Sequence, residues 1–72
     1  MSMTRKHYVE VAEIIAAEVD TAKALTPVRR GAALGALDST ARGLATMFAY
    51  DNRSFDRTRF MNACGLGDLN GN

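Results

Sequence analysis

A helical spacing of apolar residues runs through two long segments and most constrains the fold of this chain. It predicts an amphipathic helix over residues 4–24, whose apolar stripe contains Tyr8, Val11, Ala12, Ile15, Val19 and Ala22. It predicts a second helix over residues 27–51, whose heptad seam contains Arg30, Leu34, Leu37, Ala41, Leu44 and Phe48. No run of alternating apolar and polar residues competes with these patterns. The fold class predicted is all-α.

Capping residues mark where the two long helices begin. Thr4 has a side-chain oxygen suited to an N-cap, and Thr26 has the same chemistry before the second helix. Pro27 follows Thr26 and occupies the first helical position, where a missing N–H removes no intrahelical bond. The short connection between the helices predicts that they form an antiparallel hairpin.

A short third helix is predicted over residues 56–64. Asp56 is its N-cap, and Gly65 has the backbone freedom that the residue after a helix end requires. The predicted architecture is a helical hairpin closed by this third helix. It forms a single domain over residues 1–66, followed by a flexible tail over residues 67–72.

Composition excludes several ways of stabilising so small a domain. A chain of 72 residues buries only about 60% of its unfolded surface and is marginally stable. Its one cysteine, Cys64, cannot form an internal disulfide. Together with the one histidine, His7, it supplies too few ligands for a four-coordinate zinc site. Self-association is the remaining source of stability. The chain also has no apolar run of membrane-spanning or signal-peptide length, so we expect a cytoplasmic protein without membrane contact.

The second helix has a ridge of small residues on the side away from its apolar seam. This glycine ridge consists of Gly31, Gly35, Ser39 and Gly43, spaced by four. Each glycine inside a helix costs about 1 kcal/mol relative to alanine, so three of them require an offsetting contact. Close approach of another helix provides one. Two hypotheses follow: the ridge binds a second protomer or another protein, or the Ala-rich first helix covers it within the monomer.

Basic residues near the helix N-termini form a second candidate site. A hairpin brings the start of the first helix close to the end of the second, so five of these residues converge at one end of the molecule: Arg5, Lys6, Arg53, Arg57 and Arg59. Such a group can bind phosphate or an acidic partner. The alternative is a solvated surface with local ion pairs, because Asp51 and Asp56 lie in the same region.

The residue pattern of the sequence predicts no catalytic site, no cofactor site and no metal site. Cys64 and His7 are the only formal nucleophile and base pair. Cys64 falls on the inner face of a helix end, where burial raises a thiol pKa, and no third group orients His7. We therefore predict a protein that is not an enzyme and has no cofactor.

A helix-turn-helix is the alternative interpretation of the C-terminal half. The second helix, a break at residues 51–54 and the third helix have the right order, and four side chains of the third helix would contact nucleic acid: Arg57, Thr58, Arg59 and Asn62. The third helix is only about two turns long, the second is far longer than a usual support helix, and the net charge is only +1. A nucleic-acid-binding regulator is therefore the second choice.

Two end segments carry a family resemblance. The sequences MTRKHY, over residues 3–8, and FDRTRFMNACGL, over residues 55–66, resemble short uncharacterised proteins of tailed bacteriophages that infect actinobacteria. The resemblance implies a phage accessory protein in the host cytoplasm that binds a host or phage protein, and it transfers no site residues. The function predicted first is a non-enzymatic protein-protein interaction module that forms a homo-oligomer; a minor virion component is a third interpretation.

Overall fold

Residues 3–67 are described by a computed structural model, which contains three helices in the predicted order. They are α1 (Arg5–Lys23), α2 (Pro27–Asp51) and α3 (Arg57–Ala63). The all-α hairpin closed by a short helix is confirmed, and each helix begins and ends within one residue of its predicted bounds. Of the predicted tail, only Gly67 lies within the described residues.

The predicted capping residues occupy the predicted positions. The backbone N–H of Thr4 donates to His7 Nδ1 at 3.1 Å, and the backbone N–H of Arg30 donates to the Thr26 carbonyl at 2.7 Å. Asp56 Oδ1 accepts the backbone N–H of Arg59 at 2.9 Å. The Asp56 contact satisfies an N–H group that a helix start leaves without an intrahelical partner. The side-chain cap predicted for Thr26 is not formed, because its carbonyl accepts the first backbone hydrogen bond of α2 and its hydroxyl caps no N–H.

The end of α3 is a Schellman motif. Gly65 has a φ of +81°, its N–H donates to the Asn62 carbonyl at 3.0 Å, and the Leu66 N–H donates to the Met61 carbonyl at 3.0 Å. The motif turns the chain back so that Leu66 is completely buried. Gly67 follows and lies against Asn62 so closely that a Cβ would not fit.

An aromatic cluster joins the three helices at the end opposite the hairpin connection. Tyr8 of α1, Phe48 of α2 and Phe60 of α3 are buried, and Phe55 of the connecting segment packs beside them. The Tyr8 and Phe55 ring centroids lie 4.8 Å apart, and those of Phe48 and Phe60 lie 5.5 Å apart with nearly perpendicular rings. These edge-on geometries are the favoured ones for aromatic pairs.

Alanines, rather than the leucines of the predicted seam, lie at the centre of the α1–α2 contact. Ala12, Ala41 and Ala45 are at most 1% exposed. The seam leucines Leu34, Leu37 and Leu44 lie beside this line and are only partly buried. The sequence pattern did not predict Ala45. Small side chains let the two helix backbones approach, and longer ones then occupy the flanks.

Candidate interaction surfaces

The side of α2 that faces away from α1 is a long, exposed surface made mainly of small and apolar residues. We call it the outer face: it combines the four residues of the glycine ridge with five apolar or alanine positions. Its members are Val28, Gly31, Ala32, Gly35, Ala36, Ser39, Gly43, Met47 and Tyr50. All nine are exposed. Arg42 and Thr46 lie on the same side of α2, three and seven residues after Ser39, and the Arg57 side chain of α3 donates to Thr46 Oγ1 at 2.6 Å, so the face also contains charged groups.

The glycine ridge has no intramolecular partner among the described residues. A Cβ placed on Gly31, Gly35 or Gly43 would meet no heavy atom within 4 Å. The hypothesis that α1 covers the ridge within the monomer is therefore wrong. The reason is geometric: α1 packs along Ala41 and Ala45, on the opposite side of the helix. Contacts within the monomer therefore do not offset the loss of helix stability that these glycines cause relative to alanine.

Large apolar side chains stand at both ends of the ridge. Val28 is 86% exposed at the start of α2, and Tyr50 is 90% exposed near its end. Met47, one turn before Tyr50, is 55% exposed. An isolated exposed apolar residue is common, but a row of them with small residues on one helix face is typical of a contact surface.

Two oppositely charged residues flank the outer face at its two ends. Arg29 follows Val28, and Asp51 follows Tyr50; both are exposed. Neither forms an ion pair with another described residue, whereas Asp38 and Arg42 pair along α2 at 2.9 Å. Arg29 and Asp51 are therefore free to pair with charges on another molecule.

The five basic residues do not form one continuous group. Arg5 and Arg59 line the same cavity, which lies between the start of α1, the α2–α3 connection and α3. Arg57 points elsewhere and donates to Thr46 Oγ1 at 2.6 Å. Lys6 and Arg53 are exposed and line neither hollow described for this part of the chain.

The cavity shared by Arg5 and Arg59 has a volume of about 250 Å³ and mainly apolar walls. Tyr8, Phe55 and Phe60 contribute to its lining, together with Asp56. The Tyr8 hydroxyl is buried and has no hydrogen-bond partner among the described residues.

The four residues proposed to contact nucleic acid are divided between two sides of α3. Arg57, Thr58 and Asn62 line a hollow beside Arg42, whereas Arg59 lines the aromatic cavity. With only seven residues, α3 presents fewer than two full turns. It does not place these four side chains on one recognition face.

The cysteine and histidine lie in environments that do not activate a nucleophile. Cys64 is fully buried, and this burial raises the pKa of its thiol from 9.0 to about 11. His7 uses Nδ1 to accept the Thr4 N–H at the start of α1. Over residues 3–67, no three His, Cys, Asp or Glu side chains come together as metal ligands.

The chain matches no protein-family model, no curated protein and no solved structure. Within the described residues, no helix has both the length and the hydropathy needed to cross a membrane. The surfaces described above are therefore the basis for assigning a function.

The spacing of small residues predicts the glycine ridge but not the large residues beside it. Val28, Met47 and Tyr50 lie outside the predicted apolar seam and belong to none of the predicted sites. A helical projection places them with Gly35 and Ser39, because the separations of seven, eight and eleven residues are sums of three- and four-residue steps. Their exposure depends on where α1 packs, which the projection alone does not give.

Proposed function

We propose that this protein is a non-enzymatic protein-interaction module whose contact surface is the outer face of α2. The observation that carries the proposal is the exposure of Gly35 and Gly43 between Val28 and Tyr50 on one helix face. A helix that retains glycines without internal contacts is stabilised when another backbone packs closely against it.

The size of the outer face is suited to one helix or a short groove of a partner. A 25-residue helix is about 37 Å long and about 10 Å wide. Its outer side thus presents a patch of several hundred Å², comparable to the largest patches on soluble monomers. The resemblance of the end segments to actinobacterial phage proteins supports a role as an accessory protein that binds a host or phage protein.

Affinity capture from host lysate tests this function. The bait is the full chain, compared with Ser39→Arg, which places a charge at the middle of the outer face. Ala17→Arg adds the same charge at an exposed position of α1 and is the matched control. We expect wild type and Ala17→Arg to retain one protein partner and Ser39→Arg to lose it.

Repeating the capture after nuclease treatment distinguishes a protein partner from nucleic acid. Binding through the outer face persists after nuclease treatment, because it needs no phosphate. Retention of the same partner by Ser39→Arg, or loss of the partner after nuclease treatment, contradicts the proposal. Nucleic-acid binding would also weaken steeply as salt is raised.

A further inference from the structure

The cavity between the start of α1, the α2–α3 connection and α3 shares no residue with the outer face of α2. Its apolar walls are formed by Tyr8, Val9, Phe55, Phe60 and Ala63. The Phe55 ring lies 4.8 Å from the Tyr8 ring and 5.5 Å from the Phe60 ring, measured between centroids. Because these rings pack against one another in the core, the cavity is part of the folded monomer.

Three charged side chains line this cavity, and two of them are arginines. Arg5 begins α1 and Arg59 lies on α3, so the two arginines reach the cavity from different helices. Neither side chain forms a hydrogen bond or an ion pair with another described residue. The third residue, Asp56, uses Oδ1 to accept the Arg59 backbone N–H at 2.9 Å. Two positive charges and one negative charge leave the lining with a charge of +1.

Apolar walls next to unpaired arginines favour an anion that also has an apolar part. A guanidinium group binds a carboxylate through charge-assisted hydrogen bonds, often two in parallel. An apolar ring gains free energy when it leaves water for the walls of the cavity. An inorganic anion would use only the arginines, and a cation would be repelled by them.

The volume of the cavity limits its ligand to about one ring. It measures about 250 Å³. An apolar cavity of about 150 Å³ is large enough for benzene, and pockets for drug-sized ligands begin at about 300 Å³. A six-membered ring with one carboxylate therefore fits, whereas a ligand with several rings would extend out of the cavity.

We propose that this cavity binds a small organic anion with one apolar ring and one carboxylate. The ring lies against Phe55 and Phe60, and the carboxylate lies beside Arg5 and Arg59. The ligand is a free small molecule, because a peptide chain would bring backbone N–H and C=O groups that apolar walls leave without partners. The proposal does not depend on the proposed function, since the two sites have no residue in common.

Three compounds of similar shape and different charge test the proposal on the full chain. They are benzoate, benzamide and benzamidine, which are negative, neutral and positive. In a two-dimensional NMR titration, benzoate should shift the signals of Val9, Phe55 and Phe60 with a dissociation constant of about 1 mM. Benzamide should bind about tenfold more weakly, and benzamidine more weakly still. Equal affinity for all three, or no shift at roughly 20 mM benzoate, overturns the proposal.

Removing one arginine at a time tests which charges hold the carboxylate. Arg5→Gln and Arg59→Gln should each weaken benzoate by about fivefold to tenfold and change benzamide by less than about twofold. Arg53→Gln is the matched control, because Arg53 is exposed and does not line the cavity. Equal weakening by Arg53→Gln would show diffuse attraction to positive charge and overturns the site.

Two further variants separate the charge of the cavity from its volume. Asp56→Asn keeps a side-chain oxygen for the Arg59 N–H but removes the negative charge, so benzoate should bind about twofold to fivefold more tightly. Ala63→Leu fills the cavity from an exposed position and should weaken benzoate and benzamide alike. Circular dichroism confirms that each variant remains helical. Unchanged benzoate binding in Ala63→Leu would place the ligand outside the cavity and overturns the proposal.

A fourth compound tests whether the ligand is a free small molecule or the end of a peptide. N-acetylphenylalanine has the same ring and carboxylate, together with the amide of a chain end. We expect it to bind no more tightly than benzoate. Binding that is more than about tenfold tighter would indicate a peptide C-terminus and overturns the free ligand. Ser39→Arg should bind benzoate like the wild type, so the two proposals fail separately.

Discussion

The inner and outer faces of α2 are built from residues of similar size, but they lie in opposite environments. Ala41 and Ala45 on the inner face are completely buried against α1. Gly35 and Gly43 on the outer face meet no atom outside their own helix within the described residues. Small residues permit close helix packing on either side, so residue size alone does not show which side is occupied.

This difference shows that packing within the monomer buries only the inner face of α2. The inner face ends at Phe48, which contacts the aromatic rings of the other helices. The outer face ends at Tyr50, which is 90% exposed. Substitutions on the inner face should therefore affect folding, and those on the outer face should affect association.

The largest expected contrast is between Phe48→Ala and Tyr50→Ala. Phe48→Ala removes a buried ring and should lower the free energy of unfolding by about 3–5 kcal/mol. Tyr50→Ala removes an exposed ring and should change it by less than about 0.5 kcal/mol. Urea denaturation at low micromolar concentration measures both. A similar loss for both variants would show that Tyr50 is part of the folded core.

Thiol reactivity separates buried from exposed positions in a second way. Cys64 has its pKa raised to about 11, so at pH 8 it carries about a hundredfold less thiolate than a thiol of pKa 9.0. We expect Cys64 to react with a disulfide reagent more slowly than the added thiol of Ser39→Cys by at least about this factor. Similar rates in the folded protein would show that Cys64 is accessible.

The same thiol predicts how stability depends on pH. The unfolded thiol ionises near pH 9.0, whereas the folded thiol ionises near pH 11, so the native state binds more protons between these values. This contribution to stability is complete below pH 9 and is lost as pH rises toward 11. Cys64→Ala should remove this part of the pH dependence, which urea denaturation at several pH values measures.

Adding the same side chain to each face of α2 gives a smaller contrast. Ala45→Leu inserts three carbons into the α1–α2 contact and should lower stability by about 1–3 kcal/mol. Ala36→Leu adds the same atoms at an exposed position and should leave the monomer within about 0.5 kcal/mol of wild type. Thermal denaturation by circular dichroism compares them. Equal destabilisation would mean that α1 or α3 also contacts the outer face.

Glycine-to-alanine substitutions give the smallest effects, with opposite signs. Gly35→Ala and Gly43→Ala should each stabilise the monomer by about 1 kcal/mol, since helix propensity rises and no atom obstructs the methyl group. Gly65→Ala should destabilise it by about 1–2 kcal/mol, because the φ of +81° is left-handed. Destabilisation of the monomer by Gly35→Ala would contradict the exposure of the ridge.

The sequence by itself determined where the helices begin and end. Pro27 occupies the first position of α2, where its missing N–H removes no intrahelical bond. Asp56 and Gly65 bound α3 through contacts between residues that are close along the chain. These contacts are nearly independent of the rest of the fold. The confirmed hairpin topology follows from two amphipathic helices joined by a short connection.

Only the tertiary structure decided which surfaces remain uncovered. The position of α1 along Ala41 and Ala45 depends on the closest approach of two backbones; the predicted heptad seam contained Ala41 but not Ala45. The separation of Arg57 from Arg59 likewise depends on the direction of α3. The ridge was visible in the sequence, but its exposure was not, because burial is set by contacts between residues distant along the chain.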